Sequence, residues 1–153
     1  MKGIVALSVV VFMSFAAPNY AQNKGFGIGL MIGQPTGFTA KNWMNENNAL
    51  DFALGFSFAK NYSGINMHSD YLWHSYNAIQ SSEKFVLYYG PGLSLRTGRN
   101  GNGQFGIRGE LGLEWISHSV PIDVFIEIAP VFNFIASTDF GIDAGFGARY
   151  YFE

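Results

Sequence analysis

The chain has 153 residues, enough for one domain or one small barrel, and only 13% of them are charged, about half the roughly 25% usual in soluble domains. Aromatics reach 17% and there are 19 glycines, so charge is too sparse for an ordinary soluble surface, while no apolar run beyond the N-terminus approaches the ~20 residues of a spanning helix. A formal charge of −2 without a basic patch argues against nucleic acid as a partner, and the lack of cysteine excludes a lipid-modified N-terminus and a disulfide framework.

The first segment, MKGIVALSVVVFMSFAAPNYAQ, carries Lys2 ahead of an apolar run from Ile4 to Ala17 and reads as a secretory signal peptide. Cleavage is expected after Ala21, giving a signal peptide over 1–21 and one barrel domain over 22–153. Losing Lys2 leaves eight basic side chains of the nine against 11 acidic ones, a net of −3.

From Lys24 onward the pattern alternates with a period of two, in segments bounded by turn residues. The first runs from Lys24 to Ile32, with Phe26, Ile28, Leu30 and Ile32 opposite Gly25, Gly27, Gly29 and Met31. After Gly33-Gln34-Pro35-Thr36 the second, Gly37 to Met44, sets Phe38, Ala40 and Met44 against Thr39, Lys41 and Trp43. The third, Ala49 to Phe58, alternates Leu50, Phe52, Leu54, Phe56 and Phe58 with Asp51, Ala53, Gly55 and Ser57. The fourth, Ile65 to Ser75, opposes Ile65, Met67, Tyr71 and Trp73 to Asn66, His68, Asp70 and His74. The fifth, Phe85 to Arg96, places Phe85, Leu87, Tyr89, Leu93 and Leu95 against Tyr88, Gly90, Gly92, Ser94 and Arg96, and ends in the loop TGRNGNGQ.

The sixth segment, FGIRGELGLEW from Phe105 to Trp115, mixes Arg108, Glu110 and Glu114 with Ile107, Leu111 and Leu113. The seventh, Ile122 to Phe134, sets six apolar residues against Asp123, Glu127 and Asn133; the eighth, Phe140 to Phe152, sets Phe140, Ile142, Phe146, Tyr150 and Phe152 against Gly141, Asp143, Gly145, Gly147 and Arg149. Eight strands with short links predict an all-β chain: an eight-stranded antiparallel up-and-down β-barrel.

Two features make this a transmembrane barrel rather than a soluble calyx. The polar face is rich in Gly, Ala and Ser, which suits a narrow interior, and its charges are mixed. Lys41, Arg96, Arg108 and Arg149 stand against Asp51, Asp70, Glu110, Glu114, Asp123, Glu127 and Asp143, more than half of the chain's 20 charges. Eight strands enclose a lumen that side chains just fill, so these groups must pair or hydrogen-bond, with His68 beside Asp70. Arg108 and Glu110, near the middle of a long strand, are expected at the centre of that network. The apolar face carries essentially no charge, and closure satisfies the edges that lipid cannot. Trp43, Tyr62, Trp73, Phe85, Trp115, Phe134, Phe140 and Tyr150 are expected in interfacial girdles.

The last strand, GIDAGFGARYYF, resembles the C-terminal targeting strand of bacterial outer-membrane proteins, with Phe146, Tyr150 and Phe152 as its assembly signal; Glu153 follows where an aromatic usually ends the chain. Together with the N-terminal segment and the eight alternating strands, it resembles the small eight-stranded outer-membrane barrels typified by the OmpA transmembrane domain and OmpX. GQPTGFTAKNW and NALDFALGFSF are similar to a family of short bacterial outer-membrane barrels. The resemblance implies the outer membrane of a diderm bacterium as location, outer-membrane lipid and lipopolysaccharide and the outer-membrane assembly machinery as partners, a monomer, and periplasmic termini. It places Gln34, Ala59 to Gly64, Thr97 to Gln104 and Ala136 to Asp139 outside, and implies no catalytic residue and no cofactor.

Chemistry in the chain is sparse. His68-Ser69, His74-Ser75 and His118-Ser119 pair a base with a hydroxyl, but neighbours on a strand face opposite ways, which argues against a lipid A-modifying enzyme. His68, Asp70 and His74 spread over roughly 20 Å of strand, too far for one metal ion. Arg96, Arg99, Asn100 and Asn102, in and beside the Gly-rich loop, are the candidates for contact with anionic lipopolysaccharide or a host protein. The expected function is a structural or interaction barrel; a small-solute pore, a lipid A-modifying enzyme and a soluble lipocalin-like binder are the alternatives.

Overall fold

The eight alternating segments become eight strands in a computed structural model that describes residues 25–57, 64–97, 103–135 and 138–152. They are β1 (Phe26–Gly33), β2 (Thr36–Trp43), β3 (Asn48–Ser57), β4 (Gly64–Ser75), β5 (Lys84–Thr97), β6 (Gly103–Ile116), β7 (Ile122–Ile135) and β8 (Asp139–Phe152). Each pairs antiparallel with its neighbours in the chain, and β1 closes the ring by pairing with β8 from Phe26↔Phe152 to Gly33↔Gly145. The all-β, closed, up-and-down expectation therefore holds. The segments expected at 1–24, Phe58 with the loop to Ser63, Arg99, Asn100, Asn102 and Glu153 lie outside the described residues.

Strand limits differ from expectation where pairing overrides turn chemistry. Gly64 opens β4 opposite Ser57. Thr97, Gly103 and Gln104, expected in the Gly-rich loop, pair as Thr97↔Gly103 and Arg96↔Gln104, so β5 and β6 each reach 14 residues. Asp139 likewise joins β8 opposite Asn133. Once register is set in the middle of a hairpin, the ladder extends as far as its hydrogen bonds continue, whatever the local propensity.

The two faces separate cleanly. Odd positions of β4 to β6, and even positions of β1 to β3, β7 and β8, face outward, and none of these carries Asp, Glu, Lys or Arg. Phe38, Leu30, Phe140, Ile142, Ile126 and Phe56 are among the most exposed large apolar side chains of the barrel. In contrast, all 11 charged residues assigned to the polar face are buried.

The small residues inside have steric causes. A Cβ on Gly112 would lie 2.1 Å from the Tyr88 ring, one on Gly27 2.6 Å from the Tyr151 ring, and one on Gly92 1.8 Å from the Asp70 carboxylate. Glycine on one strand thus makes room for a large side chain on the next. Outside, Gly109 stands opposite Pro91, and a Cβ there would touch nothing within 4 Å; nothing in the structure explains glycine at that position. The β4–β5 register lacks partners at Tyr71–Leu72 and Gly90–Pro91, and the β6–β7 register at Gly109–Glu110 and Ala129–Pro130. Each gap contains a proline, which has no N–H to give the ladder.

Aromatics collect on the outer face near both ends. Tyr71, Trp73 and Tyr89 form a row, with ring centroids 5.2 and 6.2 Å apart, toward the end that carries the termini, and Phe105 packs against Phe134 at 5.4 Å toward the other. Trp43 departs from expectation: it points into the lumen, buried, with its ring 4.2 Å from that of His74. Its position shares the parity of Thr39 and Lys41, and parity decides its face. Tyr62 lies outside the described residues.

Candidate functional site

Because each strand from β2 to β8 turns a charged parity inward, the charges meet across the lumen and not only along single strands. Two groups form. In the first, Arg149 on β8 reaches Asp51 of β3 through Nη1 at 2.9 Å, both Asp123 oxygens of β7 through Nε at 3.1 Å, and Glu114 of β6 at 3.6 Å. Its guanidinium also stacks 4.1 Å from the centre of the Phe125 ring. Lys41 donates to both Glu114 oxygens at 3.0 and 2.9 Å, with its ammonium 4.6 Å from the Trp43 ring and 4.9 Å from that of Tyr88. His74 lies 3.7 Å from the same carboxylate, and the Tyr151 hydroxyl donates to Asp123.

In the second group Arg108 is the hub. It lies 2.9 Å from Asp70 and 3.0 Å from Glu110, with Asp143 at 3.7 Å; Asp143 also receives Arg96. His68 Nδ1 sits 2.6 Å from the Asp70 carboxylate, and Tyr88 donates to Glu127 at 3.0 Å. The structure thus brings all 12 sequence-selected lumen residues inside, but divides the centre between Arg108 with Glu110 and Arg149, where the sequence singled out the former pair. Arg96, also considered as a loop contact, is buried and held by Asp143. Desolvated ions of this kind persist only when each is matched by opposite charge or hydrogen bonds.

Several interior residues were not selected from sequence. Leu72, Val86, Phe125, Ala129 and Val131 are buried, and Leu72 and Phe125 join Met31, Ala53 and Tyr88, which the alternation already sets on the polar face, in one apolar cluster inside the barrel. For the first five, parity points inside and hydrophobicity points the other way. Phe146, Tyr150 and Phe152 all face outward, with Tyr150 and Phe152 in edge contact at 5.3 Å.

Catalytic and metal-binding arrangements change once strands are paired. His118 and Ser119 lie in the turn between β6 and β7, so strand alternation does not apply to them; Ser119 bonds with Ser117 there. Ser94 stands opposite His68, so Asp70, His68 and Ser94 occur in the order of a hydrolytic triad. The Ser94 hydroxyl and His68 Nε2 nevertheless lack hydrogen-bond partners, so they are not joined as nucleophile and base, and both are buried. His74 belongs to the Glu114 group, apart from His68. Among the described residues two sets do have metal-ligand spacing: His68, Asp70 and Glu110, and Asp51, Glu110 and Glu127, each offering one ligand atom per residue within 4.8 Å of the others.

In comparisons with protein families, with curated proteins and with solved structures, nothing matches the chain.

Proposed function

We propose that the mature chain is a structural or interaction protein of the outer membrane of a diderm bacterium: a monomeric barrel that sits in lipid, with a side-chain-filled lumen. One observation carries this reading. The outward positions of eight strands hold no Asp, Glu, Lys or Arg, while every one of the 11 network charges is inside. Water would favour the reverse, because an exposed charge costs nothing there and a buried one must be compensated. In hydrocarbon the preference inverts, and ring closure through β1 and β8 removes the edges that lipid cannot satisfy.

The outward aromatic rows support seating at two interfaces, and the outward Phe146, Tyr150 and Phe152 support recognition by the outer-membrane assembly machinery. The residues that remain for contact with lipopolysaccharide or a protein are those of the loops at the end away from the termini. A lipocalin-like binder is disfavoured, since its cavity would be apolar where this lumen is ionic. A pore is disfavoured by Arg149, Lys41 and Arg108, whose pairs cross the lumen.

Cell fractionation with gel electrophoresis tests the reading. Recovery in the outer membrane, extraction only by detergent, and a heat-dependent shift in mobility are expected. Recovery in the periplasm without detergent would overturn it.

A further inference from the structure

The lumen holds seven carboxylates but four Lys or Arg side chains among the described residues, and the surplus is not spread evenly. Three of the acids engage a single oxygen each. Asp51 uses Oδ2 for Arg149, Glu110 uses Oε2 for Arg108, and Glu127 uses Oε2 for the Tyr88 hydroxyl. Asp51 Oδ1 and Glu110 Oε1 are then left buried with no donor. These three carboxylates come from β3, β6 and β7 and converge so that one oxygen of each lies within 4.8 Å of the others. Glu110 offers an oxygen within 4.8 Å of an oxygen of Asp70 in the one set and of Glu127 in the other. Contact between carboxylates at that range is repulsive unless something positive lies between them.

His68 supplies an independent sign. Its side chain is 1% exposed, Asp70 fixes Nδ1 at 2.6 Å, and Nε2 has no partner. A carboxylate on one ring nitrogen with the other left free is the arrangement that orients an imidazole toward a metal. A ring nitrogen of His68 lies within 4.8 Å of the Glu110 carboxylate, and Glu110 is the member that this set shares with Asp51 and Glu127.

We propose that the centre of the lumen binds one divalent metal cation, with Glu110 as the ligand common to both sets, Asp51 and Glu127 on one side and His68 on the other. Arg108, Arg149, Tyr88 and Asp70 hold the far atoms of these ligands and so fix the directions of the free ones. Carboxylate oxygens with one imidazole suit Mn2+ or Zn2+ better than Ca2+, which takes oxygen alone. The cation offsets the local acid surplus and ties β3, β4, β6 and β7 together across the lumen, independently of what surrounds the barrel.

The test uses the folded full-length mature barrel in detergent, stripped with a chelator and titrated with Mn2+, Zn2+ or Ca2+ by calorimetry, with the unfolding midpoint followed in parallel. One equivalent of Mn2+ or Zn2+ bound and a raised midpoint are expected, with Ca2+ weaker. Glu110→Gln should weaken binding at least about tenfold, the lower range found for disturbing metal sites. Should that variant fail to fold, Glu127→Gln, whose amide oxygen still accepts from Tyr88, should show the same loss, and His68→Gln should remove the advantage of Zn2+ over Ca2+. Glu83→Gln, outside the lumen, should bind as the parent does. Stability that rises on acidification with no response to any of the three cations would mean that protons bridge the carboxylates and would overturn the proposal, as would binding that survives Glu110→Gln and Glu127→Gln.

Discussion

Arg149→Met probes the ionic lumen at its most connected point. The side chain is fully buried and serves Asp51, Asp123 and Glu114 together. After its loss Glu114 still has Lys41, and Asp123 still has the Tyr151 hydroxyl, but Asp51 loses the one donor it has among the described side chains. The substitution therefore strands about one carboxylate in a desolvated interior, which costs about 3–5 kcal/mol. Loss of the stacking on Phe125, at 4.1 Å, adds a smaller penalty of up to about 2 kcal/mol. Two companions locate the cause. Arg149→Lys keeps the charge but cannot serve three acids in a fixed fork, and should fall between the parent and Arg149→Met. Adding Asp51→Asn to Arg149→Met removes the stranded charge and should recover a large part of the loss, a coupling that a double-mutant cycle measures. The assay is reversible urea unfolding in detergent micelles or lipid vesicles. A cost below about 1 kcal/mol for Arg149→Met, the range of a solvent-exposed pair, would refute the reasoning.

Gly112→Ala should cost about 1–3 kcal/mol, because the new methyl meets the Tyr88 ring at 2.1 Å and the ring must leave Glu127; Gly109→Ala, with open space around it, should stay within about 0.5 kcal/mol, and the pair of unfolding curves checks both. Leu111→Arg, outward near the middle of β6, should cost roughly 2–4 kcal/mol in vesicles, whereas an exposed Arg on a soluble barrel would be neutral. Phe152→Ala should reduce the heat-modifiable form in the membrane several-fold at unchanged synthesis, measured by immunoblotting of boiled and unboiled samples.

The number of strands and their faces were legible because side chains alternate strictly, so Leu50 to Phe56 or Phe105 to Trp115 declare two environments residue by residue. Strand ends were less legible: Thr97, Gly103 and Gln104 look like a turn locally and are held in the ladder by pairing. Trp43 and the apolar interior of Leu72, Val86, Phe125 and Val131 were misplaced or passed over when hydrophobicity was allowed to outweigh parity. The cross-lumen contacts were out of reach. Lys41 and Glu114 are separated by 73 positions, Asp51 and Arg149 by 98, and no spacing rule on one strand can see them. The meeting of Asp51, Glu110 and Glu127 depends in the same way on the register and curvature of the closed ring.

The medium that the uncharged face meets decides whether the barrel sits in lipid. The described chain has no cysteine, so a single Leu111→Cys variant can be labelled with a fluorophore and reconstituted in vesicles, with the label's quenching measured for quenchers carried on lipid chains and dissolved in water. Strong quenching from the lipid chains and little from water is the predicted result; strong quenching from water and none from the lipid chains would contradict it.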